Sequence, residues 1–211
     1  MTIHSDHPFV PPEDQRDPAR RFRARLGGAV SLWTSGDGPT RVGLTVSSLL
    51  VADGEPAHVL ALVDPESDLW GELTQRQTAV VQLLAWRHRG LADGFAGVAP
   101  APGGAFRLGE WTASGWGPVL HGVSAWAGVR LSAAVPREVG WSVLVDAVIE
   151  HVELSPEGGA DVAGLGTSAA GGASAEGSDG SAGGRDGSAG VGDDSPLLHR
   201  RGRYTRFPAD P

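Results

Sequence analysis

The run from Val139 to Leu154 places Val143, Val145, Ala147 and Ile149 on one parity. A period of two sustained over that length is a strand signal, because a helix would scatter those positions around its circumference. The same alternation sets Val123, Ala125, Ala127, Val129 and Leu131 against Ser124, Trp126, Gly128 and Arg130. Shorter runs rich in β-branched or aromatic residues lie at 29–34, 42–51, 57–63 and 78–85, with Gly-Asp-Gly at 36–38 and Ala-Asp-Gly at 52–54 as turns. Long alternating strands of this kind fit an antiparallel barrel, so the fold class is mainly β with a few short helices. Helix signals are confined to three places. Ser67 is an N-cap, followed by Asp68 and by Leu69, Trp70 and Leu73 on one face. Arg87 to Phe95 and Pro18 to Leu26 are the other two. This is not a βαβ alternation, which argues against a doubly wound sheet.

Composition matters because the glycine is localised. Of the 38 residues at 158–195, 27 are Gly, Ala or Ser. Such a segment cannot bury enough surface to offset its ordering entropy, and it reads as a long disordered Gly-rich loop. Pro196 to Phe207 then regains Leu, Tyr and Phe, so the chain leaves the fold near Glu157 and docks again near Pro196. Residues 1–18 read as a flexible N-terminal tail, rich in proline and charge. The expected organisation is one domain at 19–207, interrupted at 158–195. The net charge of −8 disfavours a phosphate-tracking nucleic-acid binder, although Pro196 to Pro211 carries four arginines against one aspartate. With no cysteine, disulfides, thiolate metal sites and Cys nucleophiles are excluded. No apolar run approaches the ~20 residues of a membrane span, and Met1 to Arg25 has no apolar h-region. A soluble cytoplasmic protein is the expectation.

Gly164-Leu-Gly-Thr-Ser-Ala169 matches a dinucleotide fingerprint, but no strand precedes it and a Gly-rich loop yields such matches by chance. His4 and His7 have no further ligands nearby, so no metal site is expected. The informative stretch is Arg41 to Val51, where Gly43, Thr45, Ser47 and Ser48 interrupt an apolar strand. Hydroxyls and closely spaced backbone N–H groups can cradle a phosphate without a large positive charge; the alternative is a strand with Thr45 and Ser47 on its solvent face.

Taken in order, several segments resemble the flavin reductase family of FMN-binding split-barrel proteins. They are Arg23 to Thr34, Gly43-Leu-Thr-Val-Ser-Ser48, Asp64 to Trp70, Ala79 to Leu84, Leu91 to Gly97 and Pro196 to Tyr204. The resemblance implies a homodimer of six-stranded antiparallel split barrels, with FMN or FAD near the subunit interface and NADH or NADPH as co-substrate. It implies that Thr45, Val46, Ser47 and Ser48 hold the flavin phosphate and ribityl chain, and that Ser67 approaches the phosphate. It places Gln82 and Leu83 along the flavin ring, Gln82 standing where the family has Asn, and Phe95 near the flavin edge. Where the family often has Gly-Asp-His, this chain has Val139-Gly-Trp141, so Trp141 either stacks on a flavin or nicotinamide face or belongs to the core or dimer interface, the expectation for most of the seven tryptophans. The implied activity is NAD(P)H:flavin oxidoreduction by hydride transfer, supplying reduced flavin to a partner monooxygenase. A flavin-binding split barrel without reductase activity, and a barrel that has lost flavin and serves as an interaction module, are the alternatives.

Overall fold

The computed structural model describes residues 17–132, 136–155 and 194–206. Apart from their edges, the readings of the N-terminal tail and of the 158–195 loop lie outside the described residues, as does Phe207. Helix α1 (Pro18–Leu26) leads into β1 (Gly28–Ala29) and β2 (Ser31–Ser35). Then come β3 (Val42–Val46), β4 (Leu49–Ala52), β5 (His58–Val63), α2 (Asp68–Arg76) and β6 (Thr78–Leu83). A 3-10 turn (Trp86–His88) opens α3 (Arg89–Phe95), and a small hairpin follows, β7 (Trp111–Ala113) with β8 (Pro118–Leu120). Strands β9 (Ala125–Leu131), β10 (Arg137–Val139) and β11 (Ser142–Leu154) complete the main sheet, and β12 (Leu198–Arg200) with β13 (Arg203–Thr205) closes the described chain.

The main sheet is antiparallel, in the order β3-β2-β6-β9-β11-β5-β4. Its two ends are one stretch of chain, because only Ser47 and Ser48 separate β3 from β4. The sheet therefore curls back on itself as a six-stranded split barrel in which β3–β4 counts as one bent strand. The expected single strand at 42–51 breaks there because its halves have different partners: Val46 sits opposite Ser31 on β2, and Leu49 opposite Ala61 on β5. Likewise Gly140, at φ +61°, turns the start of the 139–154 run into the β10–β11 hairpin.

Parity decides what is buried. Trp33, Val46, Val59, Ala61, Val63, Val81, Val129, Val145 and Ala147 fill the barrel interior. Leu69 and Leu73 of α2 close it, held by the expected cap: Ser67 Oγ accepts from the Trp70 N–H at 3.3 Å and donates to the Asp64 carbonyl at 2.7 Å. The opposite face of β2 and β6, with Val30, Leu32 and Leu84, packs under α3 and the β7–β8 hairpin. The returning tail joins this second layer. Leu197 is fully buried, its N–H donates to the Leu84 carbonyl, and β12 pairs with β1.

Candidate functional site

The split between β3 and β4 gathers most of the residues singled out above. The Ser48 hydroxyl takes the place of a ladder bond, accepting from the Leu62 N–H at 3.1 Å and donating to the Leu62 carbonyl at 2.9 Å. Ser47 is exposed. Neither its hydroxyl nor the backbone N–H groups of Ser47 and Ser48 has a hydrogen-bond partner among the described residues. Consecutive unspent donors on a bent strand form a concavity suited to an anion. Gly28 lies against this bend so closely that a Cβ there would sit 2.8 Å from the Ser47 carbonyl oxygen, so a side chain at that position would push the bend out of place.

Leu83 lies two strands to one side of Val46, through Ser31, and is 39 % exposed. To the other side, Leu62 runs into Val63, opposite Val143 at the start of β11. The Asp64–Ser67 turn and the hairpin tip Gly140-Trp141 therefore lie at the same end of the sheet as Ser47, within about two strand spacings of ~4.8 Å. Trp141 is 96 % exposed. The site is thus a hydroxyl and amide cradle at Ser47–Ser48, with the N-terminus of α2 beyond it and apolar surface on both flanks. This donor set fits the phosphate end of a nucleotide: unpaired N–H groups, a free hydroxyl and a helix N-terminus all favour an anion.

Four of the sequence-selected residues play other parts. The Thr45 hydroxyl donates to the Ala92 carbonyl at 2.8 Å, tying β3 to α3. The Val46 side chain belongs to the barrel interior, which leaves its backbone as the part near the bend. The Phe95 ring is buried, edge-on to Phe106 and Trp111, and lies over Gly43, where a Cβ would meet it at 2.6 Å; it supports β3 from behind. Gln82 is fully buried. Its Nε2 donates to Thr34 Oγ1 (3.1 Å) and the Pro118 carbonyl (3.3 Å), and its Oε1 accepts from the Leu120 N–H (2.6 Å). The parity that buries Leu32 also buries Gln82, and Thr34 and the β7–β8 hairpin engage its amide nitrogen and oxygen.

Among the described residues no cluster of His, Asp or Glu could hold a metal ion, and no helix is long and apolar enough to cross a membrane. His88 is held close to Leu84 and Ala85, its Nδ1 accepting from the Ala85 N–H at 3.1 Å. Burial, then the neighbouring Arg87, lowers its pKa to about 4.

A curled antiparallel sheet split at a serine bend, capped by α2 and joined by a returning tail, defines a split-barrel protein. The profile of the flavin reductase-like domain matches residues 22–208, and the chain belongs to that family. It is 32 % identical over 124 residues to the FMN reductase (NADH) RutF of Serratia proteamaculans, covering 58 % of this chain and 70 % of that protein. Among solved structures it resembles the Streptomyces globisporus NADH:FAD oxidoreductase SgcE6, with a TM-score of 0.67 and 18 % identity over 96 % of this chain and 98 % of that one. It also resembles the styrene monooxygenase flavin reductase of Pseudomonas putida S12, with a TM-score of 0.65 and 17 % identity over 92 % of this chain and 99 % of that one. At these identities the solved structures bear on the fold.

Proposed function

We propose that this chain is an NAD(P)H-dependent flavin reductase that binds FMN or FAD at the Ser47–Ser48 bend and passes reduced flavin to a partner monooxygenase. One observation carries the reading: a family member keeps unspent hydrogen-bond donors at its strand break, beside the N-terminus of α2 and between two apolar flanks. The names of its relatives, an FMN reductase (NADH) and a monooxygenase reductase component, agree with it. Bound flavin supplies the hydride acceptor. Ser47 and the two backbone N–H groups hold its phosphate, and Ser67 holds the start of α2, whose dipole faces the same charge. Leu83 and Trp141 offer apolar surface to the ring system. Hydride transfer requires little acid–base help from protein; alignment of two rings at ~3–3.5 Å is the main contribution a site can make.

A second reading, a flavin carrier without reductase activity, follows from the resemblance, which puts Trp141 where the family often has histidine. Anaerobic addition of NADH or NADPH to the protein with excess FMN separates the two. Loss of the flavin's visible absorbance at catalytic protein concentration is expected, and bound flavin that stays oxidised would establish the carrier. Ser47→Ala should weaken FMN binding about tenfold, the cost of one hydrogen bond to a charged group, and leave the melting temperature unchanged. An unchanged FMN affinity would remove the bend from the site.

We also infer a homodimer. Leu50 and Leu62, 68 % and 40 % exposed, share the outer face of β4–β5–β11 with Leu60 and Leu144, an apolar surface of the kind that subunit interfaces cover. Light scattering on the full chain should give twice the 21.7 kDa chain mass; a monomer would leave that face to another partner.

A further inference from the structure

Positive charge in this acidic chain is gathered on one face. Helix α1 and the β12–β13 hairpin carry seven of its 17 arginines, and Asp17 is the one carboxylate between Asp17 and Leu26 or between Leu197 and Arg206. The two elements touch: the Arg201 N–H donates to the Ala24 carbonyl at 2.7 Å. Arg23, Arg25, Arg200, Arg201 and Arg203 are exposed, and none forms an ion pair among the described residues. Arg21 Nε is buried without a hydrogen-bond partner. In a chain of net charge −8, five exposed guanidinium groups without an ion pair on adjoining elements create a local field opposite in sign to the molecule as a whole.

This face borders the candidate site. Gly28 lies against the Ser47 carbonyl, and a Cβ on Gly27 would lie 3.8 Å from Arg200 Cγ. Gly28 itself sits opposite His199, so Arg200 and Ser47 flank the same Gly27-Gly28 pair. A second basic element lies at the other end of the hairpin, where Arg206 and Arg89 both lie over the Trp86 ring, at 5.3 and 5.2 Å from its centroid. Guanidinium groups are the protein's best match to phosphate, and a field of several of them discriminates ligands by charge.

We propose that the α1–β12–β13 arginine face docks the phosphates of the nicotinamide co-substrate and makes this chain prefer the form bearing a 2′-phosphate, NADPH, over NADH. The proposal rests on the reductase reading for the identity of that co-substrate. The additional phosphate is the only difference between the two, and it is the group to which an unpaired arginine face responds most.

The test compares binding of 2′,5′-ADP and 5′-AMP to the full chain by calorimetry, without any turnover. At low ionic strength 2′,5′-ADP should bind about tenfold more tightly, the gap should shrink in high salt, and Arg200→Ser with Arg203→Ser should abolish it. Equal affinities, or a gap that the double variant keeps, would overturn the proposal. The outcomes remain separable from the reductase reading: preference for 2′,5′-ADP with neither NADH nor NADPH oxidised leaves the face a 2′-phosphate site and removes that reading, whereas equal use of NADH and NADPH keeps that reading and overturns this inference.

Discussion

Gln82→Leu should cost about 2–4 kcal/mol of stability while keeping the volume of the side chain nearly constant. The loss comes from polarity. The buried Leu120 N–H loses its acceptor, and the buried Thr34 hydroxyl loses a donor; the Pro118 carbonyl keeps its bond from Thr34 Oγ1 at 2.5 Å. An unpaired buried donor costs about 1–3 kcal/mol, and the β7–β8 hairpin loses its tie to β6 as well. Gln82→Asn is the sharper variant, because it keeps the amide on a stem one methylene shorter. If Gln82 is a brace, the Asn amide falls short of Leu120, the denaturation midpoint drops, and FMN affinity follows only the folded fraction. If the amide served the flavin, Gln82→Asn would keep its midpoint and change FMN affinity at full folding. Denaturant titration and FMN fluorescence titration on the same samples distinguish these results, and the second pattern would sink the structural assignment.

Much of the barrel could be read from residue order, because alternation records burial directly. Val145, Ala147 and Ile149 face the interior as their parity requires, and so do Ala127, Val129 and Leu131. Ser67 caps α2 as its type and position indicated, since a cap is a local event. The partner switch at Ser47–Ser48 is not local. Leu49, Leu50 and Val51 continue the apolar run, no turn residue marks the break, and only the pairing with β2 and then β5 imposes it. The sheet of β1, β12 and β13 joins Gly28 to His199, a distance along the chain that no local pattern can carry. The three-residue strands β7 and β8 are too short to show a period. Within the site, Ser47 and Ser48 were recognisable as hydroxyls in the wrong place for a buried strand. The protein contacts of Gln82 and Phe95 could not be read from chemical type, because α3 and the β7–β8 hairpin that cover them come from elsewhere in the chain. The arginine face was visible as charge in the tail, but its union with α1 belongs to the fold.

Lowering the pH should destabilise the protein through His88, by up to about 2 kcal/mol once the solvent reaching the ring is allowed for. The sign follows from the direction of the shift. Unfolded, the imidazole takes a proton near 6.5; folded, it resists until about 4, because burial and then Arg87 oppose the charge. Between those values the unfolded state binds more protons, so this contribution is complete above pH 6.5 and is lost as the pH falls towards 4. Geometry gives the same direction. Nδ1 is the acceptor for the Ala85 N–H, so protonating it removes the acceptor that holds the 3-10 turn. Arg87, which pairs with Asp194 and donates to the Gly122 carbonyl, is fixed beside the ring, and Glu110 and His121 line the same cavity of about 290 Å³. His199 is shifted in the same direction by burial and then Arg23, so the bare pH profile sums two histidines as well as the carboxylates. His88→Gln isolates one of them, since a glutamine oxygen can accept from Ala85 and cannot be protonated in this range. The melting temperatures of wild type and His88→Gln should converge as the pH falls from 7 to 4, the wild type losing more. Parallel curves would show that His88 is protonated in the fold without penalty, and that the turn leading from Leu84 into α3 is held by something else.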